Sequence, residues 1–139
     1  MEKACEMVKH YGPLVGRILL ALIFLISGYG KIGGFSGTAG YMASKGIPFA
    51  EVALAITIVI ELVGGIMLIV GWKARWAALA IFLWLIPVTL MFHNFWAVDA
   101  AQYQNQFNHF LKNVTIMGGM LYVMAFGAGP LSVDARGKA

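Results

Sequence analysis

AEVALAITIVIELVGGIMLIVG, residues 50–71, is the stretch on which the fold turns. At a rise of ~1.5 Å per residue, ~20 apolar residues cross the ~30 Å of hydrocarbon in a bilayer, so the run reads as a transmembrane helix. Glu61 breaks the pattern. It sits near the midpoint among Ile58, Val59, Ile60, Leu62 and Val63, with no Lys or Arg within one turn on either side. A carboxylate at that depth costs about 2.5–3.5 kcal/mol on insertion scales. Such a group is neutral, paired inside a bundle, or turned toward a polar cavity, and intramembrane ionisable groups are functional candidates by default. A glutamate that only fixes helix packing is the competing reading.

Composition supports a membrane protein. Hydrophobic residues make up 60% of the 139 and charged residues 12%, with a mean hydropathy of +0.80. A soluble domain of that size could not cover so much apolar surface with polar side chains. The chain therefore reads as a single transmembrane domain over residues 1–139. An excess of Lys and Arg over acids would suggest nucleic acid in a soluble chain. Here the cations lie at the ends of apolar runs, which points to topology and lipid headgroups and away from nucleic acid. Cys5 is the lone cysteine, which rules out an internal disulfide, a C-x-x-C redox pair and a thiolate metal site. No His, Cys or carboxylate spacing reads as a metal site, and no pair of axial haem histidines falls within the spans. Neither a G-x-S-x-G nucleophile turn nor a P-loop occurs.

Working outward from residues 50–71, the pattern predicts an all-α, four-helix transmembrane bundle. The first span covers 14–32, with Arg17 one turn inside its start and Lys31 at its finish, both able to snorkel to opposite interfaces. Met1 to Pro13 reads as a polar segment at the membrane surface, a short amphipathic helix by its mixed charge. Gly33 to Pro48 reads as a glycine-rich connection, surface-lying or re-entrant, with Ser36, Thr38 and Ser44 available as caps. Gly64-Gly65 in the second span lets a neighbouring helix approach closely. Trp72 and Trp76 flank the basic turn at Lys73 and Arg75, an interface signature. The third span covers 77–96. Pro87 should kink it and free a carbonyl for Thr89 or a neighbour to satisfy, with Thr89, His93 and Trp96 on one face. Ala97 to His109 reads as a short exterior loop, and the fourth span covers 110–126, stopped by Gly127-Ala128-Gly129-Pro130. The GxxxG at Gly30–Gly34 leaves a homo-oligomer open.

Four spans put both termini and the Lys73/Arg75 turn on one side. That side holds Lys3, Lys9, Arg17, Lys73, Arg75, Arg136 and Lys138, against Lys31, Lys45 and Lys112 on the other. The positive-inside rule then places both termini in the cytoplasm.

At ~1.5 Å per residue, Lys31, His93 and Asn113 fall within about two turns of the outer surface, on spans one, three and four. Glu61 lies deeper and Arg17 deeper still. Glu61 could pair with Arg17 from below, with Lys31 from above, or with His93. If these polar faces converge, they form a pocket open to the outer half of the membrane. A quinone suits such a pocket, since its two carbonyls accept hydrogen bonds and its reduction needs protons from groups such as His or Glu. The bland readings stand beside this one: Lys31 snorkelling to headgroups, His93 and Asn94 at an interfacial helix end, His109 in a loop.

In order and spacing, the chain resembles the DoxX family of small bacterial membrane proteins. The resemblance rests on GRILLALIFLISGYGKIGGF at 16–35, IELVGGIMLIVGWKARWAAL at 60–79 and HNFW at 93–96. It continues in QFNHFLKNVTIMGGMLY at 106–122 and FGAGPLSVD at 126–134. It implies a multi-pass protein of the cytoplasmic membrane, and Arg17, Lys31, Glu61, His93 and Asn113 match the recurrent polar positions of the family. Relatives are linked to terminal or thiosulfate:quinone oxidoreductases and to membrane complexes handling oxidative and thiol stress. The expected function is a quinone-associated redox subunit that takes its electrons from a membrane or cytoplasmic partner protein or from a bound cofactor. A non-enzymatic adaptor or assembly factor, and a small transporter or lipid-binding protein, are the alternatives.

Overall fold

The computed structural model describes residues 1–137, which form helices and no strand among them. Lys138, one of the cations counted above, lies outside the described residues. Six α-helices follow one another: α1 Glu2–Gly33, α2 Phe35–Ser44, α3 Ala50–Val70, α4 Ala74–Phe92, α5 Ala100–Phe126 and the short α6 Val133–Arg136. A single 3₁₀ turn, Phe95–Ala97, joins α4 to α5. The protein is an all-α integral membrane bundle whose long helices are α1, α3, α4 and α5. Three of these, α1, α3 and α4, are long and apolar enough to cross a membrane by length and composition alone. Helix α5 is the fourth long helix at 27 residues, diluted by the polar turns AAQYQNQFNH at its start.

The boundaries correct the sequence reading at three places. The expected surface segment before the first span is the start of α1, which runs unbroken through Pro13. Pro13 removes a hydrogen bond to the carbonyl of Lys9, but Met1 to Tyr11 are exposed, so water can satisfy that carbonyl. The expected loop from 97 to 109 is mostly helix. Asp99 caps α5, its carboxylate accepting from the Gln102 N–H at 3.0 Å. Asp99 followed three residues later by Gln102 has the spacing of a capping box, a signal legible in the sequence and overlooked there. The third span ends at Phe92 and not at 96, so Trp96 leaves the face it was expected to share with Thr89. The connection Gly33–Pro48 contains α2, which packs Ala39 and Met42 against Leu54 of α3. Its hydroxyls do not cap it: Thr38 donates back to the Gly34 carbonyl and Ser44 to that of Tyr41.

Helix α3 shows why the bundle needs lipid. Val52, Ile56, Val59, Val63, Ile66 and Val70 are exposed and recur at alternating steps of four and three, one apolar stripe along the helix. In water that stripe would be an aggregation surface; in a bilayer it faces acyl chains. Leu54, Glu61 and Leu68, seven apart, form the buried stripe of the same helix.

Because lipid tails are as apolar as the helix faces, close packing of small residues holds the spans together. Gly64 and Gly65 serve two different neighbours. A Cβ on Gly64 would come within 3.1 Å of Ile81 on α4, and one on Gly65 within 2.8 Å of Leu25 on α1. Helix α1 packs along α3, α3 on α4 and α4 on α5, whereas α1 and α5 come close over little of their length. Leu20 seats on Gly119 at that seam, where an added Cβ would meet it at 2.8 Å.

At the end that carries both termini, the tail folds back under the helices. Asp134 accepts from the N–H groups of Lys73 and Ala74 at 2.7 and 2.9 Å, capping α4 from outside its own sequence. Its own N–H donates to the Gly71 carbonyl at 2.8 Å.

Candidate functional site

Counted along the helices, Lys31 and His93 lie at the end opposite the tail, and Glu61 and Asn113 sit near the midpoints of α3 and α5. They line one cavity of about 360 Å³, walled by α1 to α5. That size lies within the range of small-molecule pockets. Arg17 is not among its walls.

Glu61 forms the floor. Its side chain is 3% exposed and is paired with Lys31, whose Nζ lies 2.9 Å from Oε1 and 3.0 Å from Oε2. Ser27 Oγ donates to Oε1 at 3.1 Å and also accepts from Lys31 Nζ. Ser27 and Lys31 are four apart on α1, so both hang over the same face and meet the carboxylate together. Close helix approach makes this reach short: a Cβ on Gly28 would lie 3.2 Å from the Cβ of Glu61. The pairing answers the cost of burying a carboxylate, because a bidentate ammonium and a hydroxyl replace its water.

Arg17 does not reach Glu61. It is 2% exposed and its guanidinium donates to the carbonyls of Leu68 and Ile69, both at 2.8 Å, and of Leu131 at 3.0 Å. Leu68 and Ile69 belong to the last turn of α3, where carbonyls have no partner within the helix and the dipole is negative. A cation is held there before it can climb to the carboxylate. The expected place of Arg17 in the pocket is therefore corrected: it pins α1, α3 and the tail at the opposite end.

The outer wall comes from α4 and α5. His93, just past the end of α4, lies 3.0 Å from Gln106 Oε1 through its Nδ1. An amide oxygen only accepts, so Nδ1 carries the hydrogen and Nε2 is left as an acceptor. The ring stacks on His109 with centroids 5.0 Å apart. Lys112 Nζ donates to His109 Nδ1 at 3.1 Å, which leaves the hydrogen of that imidazole on Nε2. Asn113 donates through Nδ2 to Thr89 Oγ1 at 3.0 Å, both side chains buried, and ties α5 to α4. Thr89, expected to serve the carbonyl freed by Pro87, is thus engaged by Asn113.

Phe24 and Trp84, packed edge to face at 6.3 Å, supply apolar walls, and Trp84 Nε1 donates to Thr57 Oγ1 at 3.2 Å. Tyr41 of α2 also lines the cavity, beside Phe92. Ser27, Thr57, Trp84, Gln106, His109 and Lys112 were not singled out from the sequence as site residues. A signal existed for part of this set. His109, Lys112, Asn113 and Ile116 follow the spacing of one helical face, hidden only while 97–109 was read as loop.

The DoxX family model matches residues 12–94. The chain belongs to the DoxX family. Inner membrane protein YphA of Escherichia coli is 33% identical over 123 residues, 88% of each chain. Inner membrane protein YqjF of the same organism is 34% identical over 127 residues, covering 91% of this chain and 92% of that one. The Surfeit locus protein 4 homolog of Schizosaccharomyces pombe is 27% identical over 132 residues, 94% of this chain and 39% of that protein. No solved structure matches. The family match ends at Asn94, so Lys31, Glu61 and His93 fall inside it while the wall on α5 lies beyond it.

Proposed function

We propose that this DoxX-family protein is the quinone-binding component of a redox complex in the cytoplasmic membrane. The observation that carries the reading is the cavity itself, with a paired carboxylate at its floor, imidazoles on one wall and aromatic rings on another. A quinone ring presents two carbonyl oxygens that can only accept. Lys31 Nζ and the Nε2–H of His109 are donors for them, and Phe24 and Trp84 offer faces and edges to the ring. The weakly packed seam between α1 and α5 gives an apolar tail a way out into the bilayer. Reduction to the quinol takes two electrons and two protons. The electrons would come from a reduced partner protein, and the protons from the Lys31–Ser27–Glu61 chain and from solvent by way of His93, whose bare Nε2 takes up a proton, passes it to the quinone oxygen and then accepts from the new hydroxyl.

Titration of the purified protein with a short-tailed quinone analogue tests this. Glu61→Gln and His93→Ala should each weaken binding about tenfold, the loss expected for one hydrogen bond involving a charged or buried group. Equal affinity in the wild type and both variants would show that these residues do not form the site. The competing adaptor reading draws on one fact, that Lys31 and Ser27 already satisfy Glu61 without a ligand. It expects no saturable binding at all.

We propose in addition that both termini face the cytoplasm, on the cation distribution of the chain. Reporter fusions after Ala139 and at Val98 should then report opposite sides of the membrane. The same side for both would overturn the topology.

A further inference from the structure

Lys112 is a cation without a carboxylate. It lies on α5, ~21 Å along the helix from Phe126 at 1.5 Å per residue, which puts it inside the outer leaflet and not at its surface. Its hydrogen-bond partner is the neutral Nδ1 of His109, and its Nζ flanks the same cavity as the Lys31–Glu61 pair. The charges around that cavity do not balance. Glu61 is the acid among its walls and is neutralised by Lys31, so Lys112 adds one positive charge with no counter-ion. The surroundings do not correct this. Lys45 sits over the ring of Tyr41 at 5.7 Å, on the α2 side of the cavity, and adds to the positive field. Asp99 is engaged in capping α5, and Glu51 lines a separate groove against α2. Lys112 itself is exposed at the mouth of the cavity, so an anion can reach it from outside, and the apolar walls beside it strengthen the attraction relative to open water.

We infer that the ligand of this cavity is an amphiphile with an anionic head, its negative oxygen held by Lys112 at the mouth while its ring lies over the Lys31–Glu61 floor. This rests on the quinone reading and narrows it to acidic ring compounds such as an alkylated hydroxyquinone, ionised at neutral pH. Two probes share one ring and differ in charge: a 2-hydroxy-1,4-naphthoquinone with a short alkyl tail, and its neutral 2-methoxy ether. A third, oleate, carries an anionic head and a tail but no ring.

Affinities at pH 7.5 in nanodiscs of neutral lipid separate the possibilities. The wild type should prefer the hydroxyquinone over the ether by at least about tenfold. Lys112→Gln should erase that preference while still binding the ether, which also shows that the variant is folded. Lys112→Arg should retain it. Equal binding of hydroxyquinone and ether by the wild type, or a preference that survives in Lys112→Gln, overturns the role of Lys112 and leaves the quinone reading standing. Tight binding of oleate with neither quinone bound would support the anionic head and overturn the ring. No binding of any of the three overturns both.

Discussion

Arg17→Met is expected to cost about 3–5 kcal/mol of stability, measured as a shift in the unfolding midpoint in detergent. Methionine keeps most of the aliphatic volume, so the loss isolates the guanidinium and not the packing. Three carbonyls lose the guanidinium at once: Leu68, which keeps the Gly71 N–H at 3.2 Å, Ile69 beside it in the last turn of α3, and Leu131 in the tail. Burial makes each loss expensive, since water reaches this end poorly and Arg17 is 2% exposed. The variant should also loosen the tail, because Arg17 is the α1 side chain that hydrogen-bonds it, leaving the packing of Gly129 on Pro13, and should sensitise the chain to proteolysis near Ser132. Nearby Gly71 leaves no alternative: it has φ +66 and a side chain there would strike the guanidinium and Ser132. Arg17→Lys should recover part of the stability, as one ammonium cannot span carbonyls on two segments. A loss below about 1 kcal/mol for the methionine variant would mean that water replaces the guanidinium at these carbonyls.

Lys31→Met should be nearly as damaging, by about 3–5 kcal/mol, for a different reason. It strands a carboxylate that is 3% exposed, with Ser27 as its remaining partner. Removing both charges together, in Lys31→Met/Glu61→Leu, should restore most of that stability, since a buried pair replaced by apolar groups is often neutral or better. The double variant should nevertheless lose quinone-analogue binding entirely. That separation of stability from binding distinguishes a pair kept for function from one kept for packing. Additive losses in the double variant would show that the two groups are not coupled.

The sequence alone determined the membrane class, the four long helices and the order of the polar residues along them. The reason is that bilayer thickness and a 1.5 Å rise convert residue number directly into depth. The run read at 50–71 corresponds to α3, Ala50–Val70, because an apolar run of that length ended by a glycine admits few other structures, even with Glu61 inside it. Depth is a one-dimensional coordinate, however, and it does not say which way a side chain faces. Arg17 and Lys31 stood as equal partners for Glu61 by height. Arg17 was drawn instead to the unpaired carbonyls at the end of α3, a site that exists only once α3 lies beside α1 and the tail folds under them. Lys31 won the carboxylate because Ser27 shares its face and Gly28 lets α3 come close. The wall of His109 and Lys112 depended on a helix start that polar composition disguised as a loop. Tertiary structure settled those choices because burial sets the cost of leaving a polar group unpaired, and burial is decided by which helices touch.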